Sequence, residues 1–176
     1  MQVPVLTTER LELVSLSKAF LAASLAGERA QAERLGGFQL PPAWPGTHEP
    51  LLRLRLEDLE GDASLQPWLL RALVRPGPGR FMVGYVNFHG APDARGAVEL
   101  GYEVFPEHRR QGYAGETVRA MIAWAQREHG IRHFVASVSP GNAPSLAMVR
   151  KLGFTQTGSR WDEVDGEELV FEHLTG

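Results

Sequence analysis

The 176-residue sequence contains no cysteine. Disulfides, thiolate metal sites and a cysteine acyl-enzyme are therefore excluded, and a reducing compartment fits. No apolar run is long. The longest, Ala19 to Ala26, falls far short of the ~20 residues a bilayer span requires. The opening MQVPVLTTERLELV lacks a basic region followed by an apolar core. No signal peptide is expected, and the default location is the cytoplasm, away from the membrane. Neither charge dominates: 18 Lys and Arg against 21 Asp and Glu leave −3, which gives no basic footprint for nucleic acid. The balance mildly suits a cationic acceptor. Three well-known motifs are also missing. There is no G-x-x-x-x-G-K-[ST] loop, no G-x-G-x-x-G with an acid about twenty positions on, and no G-x-S-x-G elbow. Repeats, low-complexity tracts and linkers are likewise absent, so residues 1–176 are expected to form one domain with a real core.

What is present centres on residues 96–125, GAVELGYEVFPEHRRQGYAGETVRAMIAWA. Val98, Leu100, Tyr102, Val104 and Phe105 supply strand-type side chains, and Pro106 stops the strand. Ala114, Thr117, Val118, Met121, Ile122 and Ala125 fall on one helical stripe. Between them lies Arg109-Arg110-Gln111-Gly112-Tyr113-Ala114-Gly115, a basic, glycine-containing turn that runs into a helix N-terminus. The first N–H groups of a helix lack intrahelical partners, and the dipole there favours an anion. Glycine permits close backbone approach, and arginines add charge-assisted donors for phosphate oxygens. The turn reads either as a pyrophosphate cradle or as an ordinary strand-to-helix turn with solvated arginines.

The remaining pattern is mixed α/β. Arg10 to Leu16 reads as a first strand, Lys18 to Ala26 as a helix capped by Ser17, and Glu28 to Leu35 as a helix stopped by Gly36-Gly37. Thr47 is the expected cap of a helix over His48 to Glu60. Trp68–Arg75, Phe81–Phe88 and the central strand should form an antiparallel meander, with Pro76-Gly77-Pro78-Gly79 as a turn and Gly84 inside the second strand. After the long helix stops at His129-Gly130, Ile131–Ser137 is expected to lie parallel to the central strand. A short helix over Ala143–Leu152 and two strands joined by an Asp165-Gly166 two-residue turn complete the chain. The acids from Asp162 to Glu168 are expected to rim that hairpin in solvent.

Arg109-x-x-Gly112-x-Ala114, after a strand ending Val104-Phe105-Pro106, resembles the acetyl-CoA motif of the GNAT superfamily of N-acetyltransferases. Asn142-Ala143-Pro144-Ser145, leading to Leu152-Gly153-Phe154, is similar to the family's second signature. Thr7 to Leu13 looks like the opening of the branch containing ribosomal-protein N-terminal acetyltransferases. The resemblance is strong from Val98 onward and weak before it. It implies a mostly antiparallel, twisted sheet of about seven strands with a central parallel pair, flanked by helices. It further implies acetyl-CoA as co-substrate, an amine acceptor (a protein N-terminus or a small molecule), no metal, and a homodimer as one assembly.

The site the resemblance implies is specific. Arg109, Arg110, Gln111, Gly112, Tyr113, Ala114 and Gly115 would hold the diphosphate, and Asn142 would offer an amide. Pantetheine would add like a strand to an exposed sheet edge. A backbone N–H near Val104 or Phe105 would receive the oxyanion. With no cysteine and no nucleophile elbow, direct attack by the amine is expected. Glu99 and Glu103 lie on the central strand; Glu99 matches the strand glutamate that serves as base in some members, with burial raising its pKa. Either acid is equally read as an ion-pair partner. The family's usual tyrosine acid is replaced here by Val149, and Ser145 stands where the ribosomal branch has its serine, either as acid or thiol contact or as a helix-packing residue. Phe38 and Trp44 could line the acceptor site or pack in the core. His129 and His133 are separated by Gly130, so no metal site is expected there. His48, His89, His108 and His173 read as isolated surface or cap residues, with His108 a further phosphate candidate. Glu116 reads as an acid that suits the helix dipole.

Overall fold

The structure is a computed structural model and describes residues 2–176. In chain order the strands are β1 (Leu6–Thr7), β2 (Glu12–Ser15), β3 (Arg71–Arg75), β4 (Phe81–Phe88), β5 (Ala97–Val104), β6 (His133–Val138), β7 (Thr155–Asp162) and β8 (Gly166–Leu174). The helices are α1 (Lys18–Leu25), α2 (Arg29–Gly36), α3 (Glu49–Gly61), α4 (Tyr113–His129) and α5 (Ala143–Lys151). The strands are hydrogen-bonded in the order β1-β2-β3-β4-β5-β6-β8-β7. β5 and β6 form the parallel pair, and the sheet is otherwise mostly antiparallel. The eighth strand beyond the expected number is β1, whose two residues pair with Leu13 and Glu12. It is too short to leave a periodic signal.

The chain forms two compact units, and the boundary falls inside β4, β5 and α4. The first unit runs to Asn87 and includes Tyr102–Thr117. Its core gathers Leu16, Phe20 and Leu21 of the first helix region, Leu52 and Leu59 of α3, Leu70, Ala72 and Val74 around β3, and Met82 and Phe105. Phe38 belongs to this core and Trp44 packs against it: Phe38 is buried and lies 5.7 Å from the Phe20 ring, while the half-buried Trp44 donates its indole N–H to Ser24 Oγ at 3.0 Å. The second unit comprises Phe88–Gly101 and Val118–Gly176. There Phe88 stacks with Trp124 and meets Phe134, with Val118, Met121, Ala125 and Phe171 also buried.

Ser17 caps α1 by accepting the N–H of Phe20, and Gly37 ends α2 in the left-handed region. Two local expectations are corrected. Thr47 does not cap α3; residues 46–48 form a 3-10 turn, His48 occupies the cap position without a side-chain bond, and Pro50 sits in the first turn. The last hairpin has a three-residue loop rather than an Asp-Gly pair. Asp162 opposes Gly166, its carboxylate accepts the N–H groups of Val164 and Asp165, and Gly166 takes the positive φ of a bulged turn. Of the acids there, Glu168 faces Arg160 at 3.5 Å rather than open solvent. Gly84 has a packing reason: a Cβ there would stand 2.2 Å from Glu103 O, so β4 and β5 can approach only over glycine.

Candidate active site

The first hydrogen bond of α4 runs from Glu116 N–H to Gly112 O at 3.2 Å. The N–H groups of Arg110, Gln111, Gly112, Tyr113, Ala114 and Gly115 consequently have no acceptor among the described residues. Gly112 has φ +80 and Arg110 has φ 64, so the turn passes through the left-handed region twice in three residues. Arg110, Gln111 and Gly112 are exposed, whereas Tyr113 is buried. The result is a concentration of unpaired donors at a positive helix end, a geometry suited to an anion. The arginines divide their tasks. Arg109 turns back to the strand, donating from Nε to Val104 O at 2.8 Å with Nη2 3.7 Å from Glu103 Oε1. Arg110 stays in solvent.

β5 delivers this turn. Its parallel ladder with β6 covers only Ala97 to Leu100, so β5 runs on to Val104 outside it. The N–H of Phe105 is already donated to Val83 O at 2.9 Å, as that of His89 is to Glu99 O. Strand alternation therefore turns the N–H of Val104 away from β4. Of the two oxyanion donors expected, Val104 is the one with its N–H on the open side.

The two glutamates of β5 serve separate networks. Glu99 is gripped by Arg160 through both guanidinium arms, Nη2 to Oε2 at 2.5 Å and Nη1 to Oε1 at 3.2 Å, with His89 Nδ1 at 3.2 Å and Ser137 Oγ at 3.3 Å. Burial pushes this carboxyl up, but His89 and Arg160 outweigh it and hold it at about 2. The raised value expected from the sequence is thus reversed. Glu103 meets His48 Nε2 at 2.7 Å. That bond is the main reason its pKa is lowered, against the opposing effect of burial, and the same bond raises His48.

His48 and His89 are thus not the isolated residues the sequence suggests. Both hold a carboxylate of β5, and His48 is enclosed by Trp44, Tyr85 and Phe105 at 5.4–5.8 Å between ring centres. His48 has no sequence neighbour that betrays this, because Glu103 lies 55 positions away. His108 lies 5.7 Å from the Phe81 ring, and His173 Nδ1 is 3.1 Å from Gly153 O.

In the second unit Asn142 caps α5, its Oδ1 accepting the N–H of Ser145 at 3.2 Å. Ser145 is half-buried on the first turn of the helix, and Val149 is buried one turn further on.

A mixed sheet whose central strand leaves its parallel ladder early and feeds a helix start rich in unpaired N–H groups defines an α/β protein with an anion-compatible helix end beside its parallel pair. The family follows from comparison. Residues 10–155 match the model of the acetyltransferase (GNAT) domain, and the chain belongs to that family. Among curated proteins it is 28% identical over 153 residues to the uncharacterized N-acetyltransferase YjdG of Bacillus subtilis, covering 85% of this chain and 88% of that one. Among solved structures it is similar to RimL, the ribosomal L7/L12 alpha-N-protein acetyltransferase in complex with coenzyme A, with a TM-score of 0.66, 17% identity and 98% of each chain covered. A ribosomal-protein-S5-alanine acetyltransferase from Vibrio fischeri matches with a TM-score of 0.66 and 15% identity, over 98% of this chain and 97% of that one. At such identities the structural likeness establishes the shared fold. Among the described residues no helix is long and apolar enough to cross a membrane.

Proposed function

We propose that this chain transfers an acetyl group from acetyl-CoA to an amine, by direct attack within a ternary complex. The observation that carries the reading is the run of unpaired N–H groups from Arg110 to Gly115 at the foot of α4, in a chain whose family is named for acetyl transfer. The diphosphate sits on those amides, with Arg110 and Gln111 at the rim. The N–H of Val104 receives the thioester oxygen as it becomes an oxyanion. Asn142 offers its amide nitrogen to the pantetheine arm, and Ser145 is the proton donor to the leaving thiolate.

Glu99 is the candidate base, on one condition. A carboxylate held near 2 accepts a proton poorly, so the arriving ammonium must displace Arg160 before Glu99 can act. Otherwise the amine loses its proton to water and positioning supplies most of the rate. The acceptor is a protein N-terminus or a small-molecule amine.

A second reading, an acyl-CoA-binding module without turnover, is favoured by the buried Val149 where the family's usual acid stands. Release of free thiol from acetyl-CoA, measured with a panel of peptides and polyamines, separates the two. Thiol release with acetylated product supports transfer; tight binding without release against any amine supports the module.

A further inference from the structure

The opening segment, which the proposed function does not use, is tied to the diphosphate turn by one carboxylate. Glu116, on the first turn of α4, accepts the Thr8 hydroxyl at 2.5 Å, the Arg10 backbone N–H at 2.9 Å and Arg10 Nε at 2.8 Å. These partners lie more than a hundred positions away in sequence, yet three donors converge on two oxygens. Thr8 is itself fixed. Its N–H donates to Leu11 O at 2.8 Å, and its hydroxyl oxygen accepts the Leu11 N–H at 3.0 Å. The Arg10 guanidinium carbon then lies over the Tyr113 ring, 4.6 Å from its centre. Its Nη2 would be 3.3 Å from a Cβ at Gly112. One residue thus reaches three parts of the turn: the space beside the positive-φ Gly112, the buried first residue of the helix, and the acid whose N–H makes its first hydrogen bond. The dipole explains an acid at Glu116 but not this convergence.

We propose that Thr8, Arg10 and Glu116 form a clasp that fixes the 110–115 turn in its open-amide form, making Arg10 and Thr8 positioning residues for diphosphate binding. The inference rests on the reading of that turn as the coenzyme site. An unclasped turn can leave the positive-φ path at Arg110 and Gly112, and the affinity falls by the fraction of time the competent form is lost. Glu116 is the hinge of the clasp. Removing any one member releases the same contact, so effects within the set do not multiply.

The test is calorimetric titration of coenzyme A into the full chain and into Thr8→Ser, Thr8→Val, Arg10→Gln, Glu116→Gln and the Arg10→Gln/Glu116→Gln double variant. Thr8→Ser keeps the hydroxyl and should bind like the parent. The other single variants should raise Kd by at least about fivefold, the lower end of typical site coupling. The double variant should be no weaker than the weaker single. A variant that merely unfolds lowers the stoichiometry and leaves the affinity of the folded fraction unchanged, so a loss confined to stoichiometry contradicts the clasp. Equal Kd throughout, or fully multiplicative losses in the double variant, also overturns it. If the parent binds no coenzyme A, the proposed function fails, and hydrogen exchange at the Glu116 and Thr117 amides then decides. Faster exchange in Thr8→Val but not in Thr8→Ser keeps the clasp; equal exchange removes it.

Discussion

Glu99 and Glu103 are both acids of one strand, and nothing nearby separates them. The structure gives Glu99 a bidentate arginine and Glu103 a histidine, and both contacts come from distant segments. The consequence is a sign that can be checked. The folded pKa of Glu99 is depressed to about 2, so its contribution to stability is present above the unfolded value near 4.5 and disappears as pH falls toward 2. Glu99→Gln should therefore cost on the order of 1 kcal/mol in urea unfolding at neutral pH. The deficit should shrink steadily below pH 4.5; a deficit independent of pH would contradict the ion pair. His48 has the opposite sign. Its raised pKa means that the stability it contributes is fully present below its unfolded value near 6.5 and is lost as pH rises through the folded value. Its imidazole signals should titrate above 6.5 by NMR, and Glu103→Gln should bring the midpoint down. An unmoved midpoint would remove the pair.

At the scale of elements, most of the design is local and readable in advance. Ser17, Gly37 and Asn142 sit where caps are needed, and the helices they bound fall within a residue or two of expectation. β4 spans Phe81–Phe88, the bounds expected for the second strand of the meander. The misses share a cause: they depend on contacts beyond the element. The helix around α3 begins late because a 3-10 turn precedes it, and β1 exists only because β2 is beside it. Gly84 marks a place where the local reading, a glycine weakening a strand, conceals a tertiary requirement. Gly84→Ala would push a Cβ against Glu103 O and Val104 Cα. It should cost about 3 kcal/mol and, by shifting the end of β5, raise the KM for acetyl-CoA in whatever fraction remains folded. A stability within 0.5 kcal/mol of the parent, the range of an ordinary surface change, would contradict the close approach.

For the whole molecule, the motifs from Val98 onward identify the family before any fold is known, because the turn before α4 and the cap of α5 are written in consecutive residues. The first half is not legible in that way. Of the two roles the sequence leaves open for Phe38 and Trp44, only the fold selects packing in and against the core, and its most informative segment, Thr8 to Arg10, gains meaning only through Glu116. The proposed transfer depends on the open amides of residues 110–115 receiving a diphosphate. Its most direct test is equilibrium binding of acetyl-CoA to the full chain beside its diphosphate-free analogue, S-acetyl-pantetheine, at two salt concentrations. Binding of acetyl-CoA at least about tenfold tighter than the analogue, and weakening as salt screens the phosphates, is the predicted result. Equal affinity for the two ligands, or affinity indifferent to salt, would contradict the claim.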